Sequence, residues 1–313
     1  MRLLEPVLAP LPEFGVIEVS GDNAVSFLQS QLTNDVAELA PDRMELAGYC
    51  TVKGRLLATL HLWRSADAVL LRLPRELIAP LIKRLSMYVL RSKAKLTDVS
   101  DAWSTWALIG AGSAERLRSA GIAVPASPWN SSLAGALRID RVPPAPGVGE
   151  RFLLTLPAGS VLPEGIATLR RAASTEWWSS EVAAAVPTVF AATQEKFVPQ
   201  MINFEVLGGV NFRKGCYPGQ EIVARSQYLG KLRRRMYVAH ATAAEVQPGA
   251  DVYHSDGQAV GTVVMAAAAD GGTDLLFEVP VDRLKSGSLH LESASGPKLE
   301  VRPLPYELFD PTA

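Results

Sequence analysis

The chain has few of the residues from which self-contained metal and redox centres are built. Its 313 residues include only two cysteines, Cys50 and Cys216, far apart and without a Cys-x-x-Cys pair. That excludes a disulfide scaffold and argues against a cysteine-rich zinc or iron–sulfur site made by this chain alone. Histidine is also scarce: His61, His240, His254 and His290 are scattered without metal-ligand spacing and read as surface or internally satisfied residues, so no metal is expected. Charge of one sign is missing too. With a net charge of −1, no global field draws the chain to nucleic acid or to a membrane. No unbroken apolar run approaches the ~18 residues of a membrane span. At the start, Glu5 and prolines at 6, 10 and 12 stand where a signal peptide would carry its apolar core. The expectation is a cytoplasmic protein with reduced thiols and no membrane partner.

What is present is an ordinary globular composition, 48% hydrophobic and 20% charged, in a chain long enough for two or three domains. Phe14 to Val19 reads as a strand, and Gly21-Asp22 then opens an amphipathic helix with Val25, Phe27, Leu28 and Leu32 on or near its inner face. Tyr49 to Trp63 reads as two strands joined around Lys53-Gly54, Ala68 to Leu73 as a third, and Arg75 to Leu90 as a helix. Lys95 to Val99 and Trp103 to Ile109 are expected strands, and Ser113 to Ala120 a helix closed by Gly121. Residues 123 to 165, dense in proline and glycine, are expected to hold loops between short strands such as Ala136 to Ile139 and Arg151 to Leu156. A helix from Ser174 to Ala184 follows. Without a regular βαβ rhythm the class is α+β. Met236 to Val301 holds short β-rich segments between turn signals and reads as a small antiparallel barrel of about 70 residues, with a domain boundary near 236.

Residues 213 to 225 concentrate the chemistry. Cys216 lies beside Lys214, between Gly215 and Gly219, and Tyr217-Pro218-Gly219 forms a tight turn from which Gln220 to Gln227 winds as a helix. A cysteine at such a start meets unpaired backbone N–H groups and neighbouring cations, which favour thiolate. From Arg213 to Arg235 seven basic residues face one acid, Glu221, a local charge of +6 against −7 for the remainder. Phosphate contact is one reading of this run, although only Tyr228 and Tyr237 accompany it as stacking residues. Of the adjacent Trp177 and Trp178, one is expected in the core and the other at a pocket edge, since neighbouring helix positions point about 100° apart.

Three stretches together resemble a known family: Gly21-Asp22 with Phe27-Leu28-Gln29-Ser30-Gln31-Leu32-Thr33-Asn34-Asp35; Phe197-Val198-Pro199-Gln200 with Gly208-Gly209-Val210-x-Phe212; and Lys214-Gly215-Cys216-Tyr217-Pro218-Gly219-Gln220-Glu221. The chain resembles the YgfZ-type proteins, relatives of the T protein of the glycine cleavage system, an aminomethyltransferase. The resemblance implies a three-domain ring: residues 1–48 with 105–235 as a first α+β domain, 49–104 as a second, and 236–313 as a C-terminal antiparallel β-barrel. It implies a central opening that binds tetrahydrofolate, and a role in assembling or repairing iron–sulfur clusters of client enzymes, among them a tRNA-modifying one.

Under that resemblance Cys216 is the working thiol and Lys214 its activating cation. The cofactor-binding residues are Gln29, Gln31, Asn34, Trp178, Glu181, Gln200, Asn203, Gly219, Gln220, Glu221 and Arg225. Lys214, Arg225 and Lys231 would line the opening. T proteins carry an acidic pair that serves folate nitrogen chemistry where this chain has Ala58-Thr59, and that absence disfavours a one-carbon transferase, because no carboxylate stands ready to move a proton. Relatives often place a glutamate in the helix where this chain has Ala183, leaving Glu181 as the nearest acid for a pterin. The aminomethyl transferase and an RNA-binding module remain the alternatives to the accessory protein.

Overall fold

The computed structural model describes residues 3–228, 232–243 and 245–308. The chain begins with β1 (Val7–Pro10), β2 (Phe14–Ser20) and α1 (Ala24–Gln29), followed by β3 (Glu45–Cys50), β4 (Leu56–Ser65) and β5 (Ala68–Pro74). A 3-10 turn leads into α2 (Ile78–Val89), then β6 (Lys95–Asp98), β7 (Trp103–Ile109) and α3 (Ser113–Ser119). Next come β8 (Ser131–Ala134), β9 (Leu137–Ala145), β10 (Gly149–Pro157), α4 (Glu164–Ala167), α5 (Ser174–Ala183) and α6 (Gln220–Tyr228). The remainder comprises β11 (Arg234–Ala241), β12 (Asp251–His254), β13 (Ala259–Ala269), β14 (Gly272–Pro280), α7 (Val281–Lys285), β15 (Leu289–Leu291) and β16 (Glu300–Arg302). The strands form three sheets, ordered β1-β7-β10-β9-β8, β3-β4-β5-β2-β6 and β15-β12-β13-β14-β11-β16. Every strand pairing given for them is antiparallel. Strands and helices follow no βαβ alternation, as expected for α+β.

The chain divides into two compact units. One comprises residues 1–30, 35–46 and 60–180; the other comprises 31–34, 47–59 and 181–313. In the first unit, Leu8, Leu108, Phe152 and Leu154 of the first sheet form a dry core with Leu117 of α3 and Ile166 of α4. In the second unit the six-stranded sheet closes over Ala239, Val252, Val263, Leu275 and Phe277. The amphipathic pattern of α2 explains its burial of Ile78, Leu81 and Leu85, spaced three and four apart.

The first unit also buries charge. Arg72 on β5 is wholly enclosed. It donates to Thr155 Oγ1 on β10 (2.8 Å) and His61 Nδ1 on β4 (3.4 Å), and lies 3.6 Å from Asp140 on β9. Its guanidinium carbon is 5.3 Å from the Trp63 ring centroid. Asp140 also receives Arg138 Nε (2.7 Å) and the Ser131 hydroxyl (2.6 Å). One arginine thus links two sheets of the unit, and removing a partner from such a buried pair typically costs about 3–5 kcal/mol.

Most expected elements are present, with differences that have physical causes. The first helix ends at Gln29, so Leu32 lies beyond it, in an isolated bridge with Tyr49. Strands β1 and β8 have no counterpart in the sequence reading, and β9 runs on through Pro143 and Pro144 to Ala145. Both prolines fall at the end of β9 beside a register shift at Gly149–Arg151, where a missing N–H is tolerated. Of the seven cations of the basic run, Arg234 pairs with Glu278 and Arg235 with Glu205; Lys231 lies outside the described residues.

His61 supplies a test of the buried charge. Burial first, then the charges of Arg72 and Arg151, hold its pKa well below the ordinary value. The unfolded chain therefore takes up a proton below pH ~6.5 that the folded chain refuses. This stability is present above that pH and is lost as pH falls through it, at up to about 1.4 kcal/mol per pH unit. The melting temperature should fall on acidification from about pH 7.5 to about 5.5, and H61Q should flatten that slope; an unchanged slope would refute the assignment.

Candidate functional site

The segment bearing Cys216 is built by the second unit. Asn211 begins it: its backbone N–H donates to Thr33 O (2.9 Å), while its side-chain oxygen accepts from the backbone N–H groups of Arg213 (2.8 Å) and Lys214 (3.1 Å). That turn sends the Lys214 side chain inwards. Its ammonium donates to Leu32 O (2.7 Å) and lies 5.2 Å from the Tyr217 ring centroid. Thr33 and Asn34 continue the lacing, Thr33 Oγ1 donating to Gly209 O (2.6 Å) and Asn34 Nδ2 to Gly208 O (2.9 Å).

The other end of the loop is set by a close backbone approach. Gly219 has φ +81°, and a Cβ built on it would fall 2.5 Å from Gly54 N and 2.6 Å from Gly54 Cα, and closer still to Thr51 O. Only glycine fits there. Helix α6 starts one residue later at Gln220, so Cys216 precedes the helix by four residues instead of capping it. Gln200 Nε2 donates to Val223 O (2.7 Å), tying the helix to the Phe197–Gln200 motif. Between these anchors Gly215 and Cys216 are exposed, and a Cβ on Gly215 would meet nothing within 4 Å. Nothing in the space around Gly215 requires glycine there.

The two thiols occupy opposite environments. Cys216 is free and exposed; Cys50, free and buried, has its pKa pushed up to about 12 by desolvation. Tyr217, next in sequence to Cys216, is buried, and its hydroxyl is raised too, first by burial and then by Cys50. An exposed, conformationally held thiol can act as a nucleophile, exchange with a disulfide or ligate a metal ion presented by another molecule.

The other candidate residues separate by environment. Asn203 is fully buried at φ +56°, donating to Met236 O (2.9 Å) and Tyr306 Oη (3.3 Å) and accepting from Met236 N–H (3.3 Å). It carries a structural load. Gln29 Nε2 donates to Asp35 Oδ1 (3.0 Å) and its Oε1 accepts from Ala37 N–H (3.2 Å), closing the loop after α1. Gln31, Glu181 and Gln200 are buried, whereas Gln220 is half-buried and Glu221 and Arg225 are exposed on α6. Trp177 is the core member of its pair, 5.1 Å beneath the Arg151 guanidinium; half-buried Trp178 lies 5.3 Å from Phe14. Gln29 and Trp178 belong to the first unit and the other candidates to the second. Where T proteins would carry acids, Ala58 is buried and the Thr59 hydroxyl accepts from Val189 N–H (3.0 Å).

Sequence reasoning passed over His61, which lies 6.2 Å from Phe14 and 6.3 Å from Trp129 between ring centroids. The available signal was a lone imidazole in the largely apolar run Leu56–Trp63. Among the described residues no group of three or more His, Cys, Asp or Glu side chains could hold a metal ion, and no helix is long and apolar enough to cross a membrane.

Over 316 residues the chain is 31% identical to the tRNA-modifying protein YgfZ of Pectobacterium carotovorum subsp. carotovorum (strain PC1), with 98% of this chain and 93% of that protein covered. The chain belongs to the YgfZ family. A second YgfZ relative, the tRNA-modifying protein of Klebsiella pneumoniae (strain 342), is 30% identical over 97% of this chain and 94% of its own. Among solved structures, the glycine cleavage system aminomethyltransferase T from Bartonella henselae matches with a TM-score of 0.77 over 97% of this chain and 87% of that one. At 18% identity that likeness is one of fold. No protein-family model matches the chain. The resemblance read from the three YgfZ-type motifs is therefore borne out.

The loop geometry separates its two glycines experimentally. G219A, strained in φ and blocked by backbone, should destabilise the protein by several kcal/mol, about 2–4 by analogy with other strained positions. G215A should leave the melting temperature nearly unchanged. Thermal unfolding of both variants checks this, and equal effects would refute the anchoring of the loop at Gly219.

Proposed function

We propose that this protein is a folate-binding accessory factor that supports assembly or repair of iron–sulfur clusters in client enzymes, tRNA-modifying enzymes among them, with Cys216 as the working thiol. The observation that carries the reading is the contrast between an exposed cysteine and the rigid frame that presents it. Lys214 holds one side of the loop through Leu32 O, and Gly219 holds the other against Thr51 and Gly54. Lys214 then acts by positioning, since its ammonium is engaged with a carbonyl and an aromatic face. Relatives named tRNA-modifying proteins across nearly the whole length support the tRNA connection. Folate is the ligand expected from the shared aminomethyltransferase fold, and the three-domain ring with a closed C-terminal barrel belongs to the same reading.

The rivals fare less well on particular residues. A one-carbon transferase would lack a carboxylate at Ala58-Thr59, where the threonine hydroxyl is already engaged. An RNA-binding module would lean on the basic run, yet Lys214, Arg234 and Arg235 are engaged inside the fold, leaving Arg213, Arg225 and Arg233 exposed among the described residues.

In a cell lacking its own YgfZ protein, the wild-type chain should restore the tRNA modification and the activity of the iron–sulfur client. C216S should restore less than about a tenth of either, a barrier change of at least about 1.4 kcal/mol. Full recovery by C216S would overturn the role given to this thiol.

A further inference from the structure

The first unit carries a second concentration of cations, to which the three motifs assign no role. From Lys83 to Lys95, along the end of α2 and the loop after it, Lys83, Arg84, Arg91, Lys93 and Lys95 stand without an acid among them. Five cations and no acid give a local charge of +5 in a chain whose net charge is −1. Of the five, Lys93 is paired, with Asp22 at 3.1 Å; among the described residues Lys83, Arg84, Arg91 and Lys95 have no acidic partner. The helix turns them outward, because Ile78, Leu81 and Leu85 take its inner face and leave Lys83, Met87 and Tyr88 exposed, with Arg84 half-buried.

Two of these outward residues open onto a groove of about 770 Å³, lined by Asn23 and Ser26 beside α1 and by Tyr88, Leu90, Arg91 and Ser92. That is ample for one planar ring and its substituents, on the ~300–1,000 Å³ scale of ligand sites. Its walls are held in place. Gly21 lies at φ +103°, where a Cβ would collide with Lys93 O. Asn23 N–H donates to Lys93 O (3.1 Å), and Lys93 N–H donates back to Asn23 Oδ1 (2.9 Å). Ser92 N–H donates to Val89 O (2.7 Å), with Leu90 between them at φ +43°, uncommon for a bulky residue. With Oδ1 so used, the Asn23 amide N–H groups and the Ser92 hydroxyl have no partner among the described residues. Tyr88 is 43% exposed and Leu90 86%.

An aromatic ring among unpaired cations, with neutral donors and a hydroxyl alongside, supplies the parts that hold single-stranded RNA. The ring stacks a base, the cations take phosphates, and the donors and hydroxyl meet the ribose 2′-hydroxyl. A folded acidic protein fits less well. A stable protein interface takes about 800 Å² from each partner, and this patch offers three large exposed apolar side chains, Met87, Tyr88 and Leu90. We propose that the groove binds a segment of single-stranded RNA, one base stacking on Tyr88, the neighbouring phosphates meeting Arg91 and the exposed Lys83 and Lys95, and the ribose meeting Asn23 and Ser92. This contact is distinct from the basic run 213–235 and depends on neither the folate reading nor Cys216.

The test titrates the purified full chain into a fluorescein-labelled oligouridine about 12 nucleotides long, within the span of known single-strand sites, and follows anisotropy from about 50 to about 200 mM salt. Wild-type binding should weaken steeply with salt. K83Q/R91Q/K95Q should bind at least about tenfold more weakly at the low-salt end and lose about 0.7 of the logarithmic salt slope per phosphate contact removed. Y88A should bind about tenfold more weakly at every salt concentration, whereas Y88F, which keeps the ring, should stay within about twofold of wild type. Oligodeoxyuridine, which lacks only the 2′-hydroxyl, should bind about fivefold more weakly, the scale of one lost hydrogen bond. Because the substituted side chains are exposed, the melting temperature of each variant should match the wild type. Absence of wild-type binding at low salt, or undiminished binding by both Y88A and the triple variant, would overturn the site. Equal affinity for oligodeoxyuridine would overturn its assignment to RNA, and a polyglutamate of equal charge bound as tightly as the RNA would overturn it in favour of an acidic protein partner.

Discussion

The loop that carries Cys216 depends on a contact in which no side chain can intervene. Gly219 presses its backbone against the Thr51–Gly54 turn of the β3–β4 hairpin, and a Cβ on Gly54 would in turn meet Ile222 Cβ at 3.1 Å and Gly219 O at 3.2 Å. Two glycines at positive φ, more than 160 positions apart, therefore fix where α6 begins. Lys214 supplies the second anchor by giving its charge to a carbonyl instead of to solvent. Four residues remain between the anchors, of which Tyr217 is buried and Pro218 half-buried, so that Gly215, without a side chain, and the thiol of Cys216 are what the loop exposes. A partner approaching Cys216 would meet little protein in its way at Gly215.

The same economy of charge runs through the rest of the molecule. In the second unit Arg235 meets Glu205, whose pKa burial raises while the arginine pulls it down, and Arg234 meets Glu278 under the same opposing influences. In the first unit Arg72 joins β4, β5, β9 and β10 through His61, Thr155 and Asp140. Buried ion pairs of this kind seldom add much net stability, because desolvation offsets attraction. They do fix geometry, since a misplaced partner leaves a charge buried alone. For His61 the consequence is a set tautomer and a suppressed positive charge.

Much of this was legible in the sequence because it is local. The hairpin around Lys53-Gly54, the strand Trp103–Ile109 and the helix from Ser174 follow from alternation, turn residues and helical spacing. The YgfZ-type motifs located the Cys216 loop as well. The direction of side chains was not legible. Lys214 adjoins the cysteine in sequence by two positions, yet its ammonium reaches Leu32, 182 residues away. Arg234 and Arg235 read as a surface run because their acids lie 44 and 30 positions off. Strand β8 escaped notice because Ser131–Ala134 has neither length nor hydrophobic alternation, and among the described residues β9 is its one strand partner. His61 read as an unremarkable histidine because its aromatic neighbours, Phe14 and Trp129, come from two stretches of chain far from it in sequence.

The proposed role of Cys216 requires one thiol to be presented and the other withheld. Its most direct test is brief alkylation of the native protein near neutral pH with iodoacetamide, followed by peptide mapping of both cysteines. Cys216 should be modified nearly completely. Cys50, buried and with its pKa pushed up to about 12, should remain unmodified until the protein is unfolded, since thiolate and access are both denied. Comparable modification of the two cysteines, or protection of Cys216 in the native state, would contradict the structure's central assignment.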